Sequence, residues 1–128
     1  MFNRKTKPHK VASLDELTAL AEEGKPLFID FMQKSCGPCQ TMDGIVNELA
    51  HDYRDTANVA KVDVQSVPGA AQMFNVRSTP TFVLIAPPVT KKQEARAGRP
   101  AERWRAMGLV KKSQLAQALE SSGAQLAD

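Results

Sequence analysis

Cys36 and Cys39 are the only cysteines in the chain, and they sit three residues apart in the run Cys36-Gly37-Pro38-Cys39. At that spacing, two thiols on the first turn of a helix share one face and lie within disulfide reach. Gly37 lets the backbone turn tightly, and Pro38 suits a first helical turn, where its missing N–H costs nothing. The first thiol then faces the unpaired N–H groups and the positive dipole end of that helix, which favour thiolate over thiol. A thiolate beside a second thiol is a dithiol/disulfide switch. Two blander uses of the pair fit less well. A zinc site takes about four ligands, and the only histidines, His9 and His51, have no finger-like spacing to the cysteines. A structural disulfide usually closes a longer loop, since so short a gap constrains the unfolded chain little.

Such a switch needs elements to hold it. Leu27-Phe28-Ile29-Asp30-Phe31-Met32 is a short apolar run that reads as a buried strand leading toward the cysteines. From Pro38 onward, Met42, Ile45, Val46, Leu49, Ala50 and Tyr53 fall on one face of a helix of about four turns, weakened locally by Gly44. Upstream, Ser13 followed by Glu16 reads as a capping box and Gly24 as a stop, predicting a helix over 14–23. Downstream, Val59 to Val64 reads as a strand and 67–74 as a short helix. Thr81 to Ile85 is a second buried strand, stopped by Pro87-Pro88, and Trp104 to Leu109 is a weaker strand. Leu115, Ala118 and Leu119 mark a last helix ending near Gly123, and a short edge strand is expected near His9–Ala12. Strands alternating with helices predict one α/β domain over 1–128, with an antiparallel pair at the end.

With 128 residues, 42% of them hydrophobic, the chain can build a single core. No run approaches the ~20 apolar residues of a membrane span, and Met1 to Lys10 lacks the apolar stretch of a secretory leader. A cytoplasmic setting is therefore expected, or a periplasmic or organellar one if a leader has been removed. Cysteines held reduced fit a reducing compartment. The net charge of +3 is unevenly spread. Arg4, Lys5, Lys7 and Lys10 fall in or beside a basic, flexible segment at 1–9. Lys91, Lys92, Arg96, Arg99, Arg103 and Arg105 stand against only Glu94 and Glu102 in a basic stretch at 87–106. The remainder is acidic, with seven basic and twelve acidic residues. Gly98-Arg99-Pro100 reads as a turn, so 87–106 is expected to protrude as an extension of the last hairpin. Aromatic residues are not interleaved with these charges, which argues against nucleic acid as a partner.

The element order, with Cys-Gly-Pro-Cys following a buried strand, resembles the thioredoxin family over roughly residues 10–122. Three further features recur at that family's spacing. Asp30 lies six residues before Cys36, Lys61 falls on the next strand, and Thr79-Pro80 ends 41 residues after Cys39. The resemblance implies the thioredoxin fold, a central mixed sheet flanked by helices on both faces, here with an extended basic insertion between the last two strands. It also implies a protein-disulfide reductase in which Cys36 attacks and Cys39 resolves the mixed disulfide. In that scheme Asp30 is a buried base for Cys39, its pKa raised by desolvation, and Lys61 is an auxiliary whose head reaches toward Asp30. Pro80 is expected to be cis, exposing the Thr79 backbone, with Ser35, Gly37 and Pro38, to an extended substrate peptide. The Thr79 and Ser35 hydroxyls could each meet a sulfur or could do nothing. Cofactors and metals are not called for. The expected partners are protein disulfides and an electron donor such as a thioredoxin reductase, with a monomer as the working state.

The chain departs from the family pattern at Ser35 and Met32, where tryptophans are usual, at Gly44, where a proline is common, and in the longer 87–106 segment. Two other readings therefore stay open. One is a periplasmic or organellar relative working in oxidation, isomerisation or cytochrome assembly. The other is a binding module of the same fold that docks a partner through its basic segments.

Overall fold

The computed structural model describes residues 5–128, so Arg4 and the start of the basic segment predicted at 1–9 lie outside the described residues. In chain order the elements are β1 (His9–Lys10), α1 (Leu14–Ala21), β2 (Leu27–Met32), α2 (Gly37–Asp52) and β3 (Asn58–Asp63). They are followed by α3 (Ala70–Met73), β4 (Thr81–Ala86), α4 (Lys91–Arg96), β5 (Ala101–Met107) and α5 (Lys112–Ser121). The strands form one sheet in the order β1-β3-β2-β4-β5. β1 and β2 both run parallel to β3, while β4 is antiparallel to β2 and to β5. This is the mixed sheet of the thioredoxin fold.

Alternation along the central strand sorts its side chains into two cores. Leu27, Ile29 and Phe31 pack with Leu17 of α1, Ala70 of α3, and Val62 and Val83 of the neighbouring strands. Phe28 points the other way, into a cluster with Met42, Val46 and Leu49 of α2 and Leu115 and Leu119 of α5. Asp30 has the same parity as Phe28, so it belongs to the α2 side of the sheet. It is 1% exposed. Tyr53, at the end of α2, donates its hydroxyl to Glu120 of α5, which ties the two helices on this face together.

Several boundaries differ from the sequence reading. The helix predicted at 14–23 stops at Ala21; Ser13 caps it by accepting from the Glu16 N–H, and the Glu16 carboxylate accepts from the Ala12 N–H. The short helix read at 67–74 is a single turn, Ala70–Met73. His9 belongs to β1 rather than to the basic tail, because its backbone finds a partner at Ala60 of β3.

The largest difference lies at 87–106. The chain re-enters the sheet at Ala101, and β5 ends at Met107 because Gly108 turns at φ +77°, a conformation that favours glycine. The strand read at 104–109 is thus shifted toward the N-terminus, and the insertion shrinks to 87–100. It contains a short helix rather than a hairpin extension. Thr90 caps α4 by accepting from the Gln93 N–H, and the Gln93 side chain accepts from the Val89 N–H. Arg103 and Arg105 belong to the sheet. Arg103 donates to the carbonyls of Ala86, Ala97 and Arg99, and Arg105 pairs with Glu102 and donates to the Phe74 carbonyl. Weak apolar alternation hid this strand: none of its residues is fully buried, and two of them are arginines used as struts.

Candidate active site

β2 carries the chain up to a tight bend, and α2 starts there with Cys36 as its N-cap in extended backbone conformation. A sulfur stands where a capping oxygen usually would: Cys36 Sγ accepts the Cys39 N–H at 3.1 Å. Pro38 occupies the first turn, where no intrahelical N–H is needed. The two cysteines form a disulfide, with their Cα atoms 5.2 Å apart. They are not equivalent. Cys39 is 4% exposed and faces the core, whereas Cys36 is only half-buried, at the helix end. A thiolate left on Cys36 after reduction would keep the Cys39 N–H and the positive helix end as its stabilising partners.

Gly37 does not behave as the sequence suggested. It needs no left-handed conformation, and a Cβ there would meet nothing within 4 Å. The tight turn therefore does not require glycine. Gly37, Pro38 and Ser35 are all exposed and leave the approach to Cys36 open. The Ser35 hydroxyl makes no hydrogen bond among the described residues.

The loop before β4 faces the disulfide from across the site. The Thr79–Pro80 bond is cis. Thr79 O lies 3.4 Å from Cys36 Sγ, so the carbonyl of Thr79, not its hydroxyl, meets the sulfur, and a reduced Cys36 thiol would donate to it. Neighbours fix this loop from three sides. Gly108 N–H donates to Pro80 O at 2.9 Å, the Thr81 hydroxyl donates to Ser78 O at 2.7 Å, and Arg105 grips the Phe74 carbonyl upstream. Pro80 is itself buried, while Thr79 is partly exposed beside it.

On the α2 side of the sheet Asp30 is buried, and its Oδ1 has no hydrogen-bond partner among the described residues. Burial pushes its pKa up from 3.8 to about 7; the Lys61 cation pulls against this, and the Asp43 carboxylate adds to it. Lys61 stands beside Asp30 in the β2–β3 register. Its head, however, does not reach for Asp30 as the sequence reading expected. It forms an ion pair with Asp43 of α2, whose side chain is half-exposed while that of Lys61 is largely buried. A cleft of about 390 Å³ opens here, lined by Cys39, Asp43 and Lys61 together with Lys10, Met32 and Gln40. Asp43 was missed in the sequence. The available signal was its position four residues after Cys39, which puts it one turn further along the same helix face.

Among the described residues no helix is long and apolar enough to cross a membrane, and no three His, Cys, Asp or Glu side chains gather as a metal site.

The family model described as Thioredoxin matches residues 8–119. The chain is 35% identical over 82 residues to the chloroplastic thioredoxin Y2 of Arabidopsis thaliana, covering 64% of this chain and 48% of that protein. It is 32% identical over 101 residues to a thioredoxin-like protein of Synechocystis sp., covering 79% of this chain and 85% of the relative. Among solved structures, a mutant thioredoxin from Halobacterium salinarum superposes with a TM-score of 0.75 at 28% identity, over 95% of this chain and 96% of that one. The chain spans about half the length of the chloroplastic relatives it matches.

Proposed function

The chain belongs to the thioredoxin family, and from that premise we propose that it is a thiol–disulfide oxidoreductase that reduces protein disulfides. The observation that carries this reading is the asymmetry of the pair: a half-buried Cys36 capping α2, and Cys39 buried one turn below it. In the dithiol form the Cys36 thiolate attacks one sulfur of a substrate disulfide. That S–S bond breaks, a mixed disulfide forms on Cys36, and the first substrate sulfur leaves as a thiolate. Cys39 then gives its proton to the Asp30 carboxylate, and its thiolate attacks Cys36 Sγ. The Cys36–Cys39 disulfide forms and the second substrate sulfur departs. Two electrons have passed from the dithiol to the substrate, and an external dithiol donor restores them.

A base with a pKa of about 7 suits proton transfer near neutral pH, which supports Asp30 in this role. The exposed rim of Ser35, Gly37 and Pro38, with the Thr79 backbone opposite, suits an extended peptide laid across the disulfide. Lys61 acts on Asp30 through its charge rather than by contact. The protein works as a monomer in a reducing compartment, the cytoplasm or an organelle like that of the chloroplastic relatives, and takes its electrons from a donor such as a thioredoxin reductase.

The test is trapping. Incubated with a disulfide-bonded protein substrate, Cys39→Ser should accumulate a mixed disulfide through Cys36, because the resolving thiol is gone, and Cys36→Ser should accumulate none. Trapping through Cys39 in the Cys36→Ser protein would reverse the roles and overturn the mechanism.

A further inference from the structure

Building on the oxidoreductase reading above, the geometry points to Asp43 as a positioning residue: by holding the Lys61 ammonium, it keeps that cation off the buried Asp30 carboxyl and leaves Asp30 able to take the Cys39 proton. Asp30 and Lys61 are register partners on adjacent parallel strands, so their side chains leave the sheet on the same face. A lysine stem is long enough to reach a carboxylate across that spacing. Yet the ion pair that forms is Lys61 with Asp43, and Asp30 Oδ1 is left without a partner.

Asp43 can do this because it follows Cys39 by four residues on α2. The sulfur that must lose a proton and the carboxylate that restrains the lysine therefore lie along one helix face and line one cleft. The charged groups facing Asp30 are Lys61 from β3 and Asp43 from α2. β4 offers apolar Phe82 in register, and Lys10, Lys34 and Asp63 stand around the cleft. Removing the Asp43 charge acts on Asp30 in one direction twice. A like charge is lost, and the lysine is released to turn inward. Both make Asp30 a stronger acid, and so a weaker base toward Cys39.

The experiment is an NMR titration of the Asp30 carboxyl carbon in the oxidised full chain, in wild type, Asp43→Asn, Lys61→Met and the double variant. Asp43→Asn should lower the Asp30 midpoint by about one unit or more. In the Lys61→Met background the same change should lower it by much less, because only the direct charge effect remains. Equal shifts in the two backgrounds would mean that Asp43 acts by its own charge and not by holding the lysine, and an unmoved midpoint would remove any role; either result overturns the proposal. Because the side chain of Asp43 is half-exposed, the variant is expected to fold. The titration needs no turnover, so failure of the trapping test would sink the oxidoreductase reading without touching this result. Where turnover is present, the pH profile of mixed-disulfide release should move to lower pH with the same variant.

Discussion

At one end of β4, Pro80 leads the chain into the sheet beside the disulfide, held by Gly108, facing Cys36 through Thr79, and backed by Arg105. At the other end, past Ala86, residues 87–100 leave the sheet and carry Lys91, Lys92, Arg96 and Arg99, all exposed and none in an ion pair among the described residues. The six residues of β4 separate these ends by roughly 20 Å. Both regions stood out in the sequence, one by residue spacing and one by charge. The first is a set of short, directional contacts that fix a sulfur, a carbonyl and a buried acid in relation to one another. The second is a charged surface with a capped helix and no fixed partner. Chemistry requires the first kind of construction. The second can steer a partner but cannot bring a substrate disulfide to Cys36 unless that partner is large enough to span both ends.

The comparison is sharpened most by Asp30. If its value comes from burial under α2, Asp30→Asn should slow release of the mixed disulfide by about a hundredfold or more while leaving its formation nearly unchanged. Stability should move the opposite way. The folded-state pKa, about 7, lies above the ordinary 3.8, so the unfolded chain gives up this proton first as pH rises. Folding stability therefore falls between about pH 4 and pH 7 and stays reduced above that. Urea melts at pH 8 should find the Asn variant more stable by on the order of 4 kcal/mol, and melts at pH 4 should find little difference. Equal stability at both pH values would put Asp30 in water and detach it from the redox end.

Ser35 tests the rim of the site. A small polar side chain stands exposed beside the nucleophile, and the family's tryptophan at this position would offer a large contact surface. Turnover by a standard thioredoxin reductase is expected to be poor, and Ser35→Trp should improve its kcat/KM by about tenfold. Efficient turnover of the wild type would make the serine a neutral replacement.

The smallest effect is expected at the far end. Replacing 87–100 with a short turn should leave reduction of a small aromatic disulfide within about twofold, because among the described residues no hydrogen bond or ion pair joins that segment to the site, and rim charges act mainly on encounter rates. If the basic segment docks an acidic partner, reduction of that partner should slow and lose its salt dependence in the shortened protein. Identical salt slopes in the two proteins would leave the segment as solvated surface.

The same contrast explains what was legible in the sequence. β2 and α2 could be read because a continuous apolar run and an i, i+3, i+4 face are local patterns, and the thiol pair is tied to the start of α2 by residue type alone. The face that Asp30 takes was not read from the sequence, although its parity with Phe28 carried that information once β2 was identified. β5 was harder to place, since a strand with no fully buried residue and two arginine struts lacks period-2 alternation. α4 had a signal, Thr90 followed by Gln93, that the surrounding positive charge obscured. The partner of Lys61 could not be read, because the choice between Asp30 and Asp43 depends on how α2 lies over the sheet. That is a tertiary fact with no local signature.

The central claim, that Cys36 is the activated thiol and Cys39 the buried one, is tested most directly by alkylation of the reduced protein. With iodoacetamide at neutral pH and peptide-level readout, Cys36 is expected to label first, with a rate that remains high below the ordinary thiol pKa, while Cys39 labels slowly. Labelling of Cys39 before Cys36, or equal rates that both fall away below pH 8.5, would contradict the account.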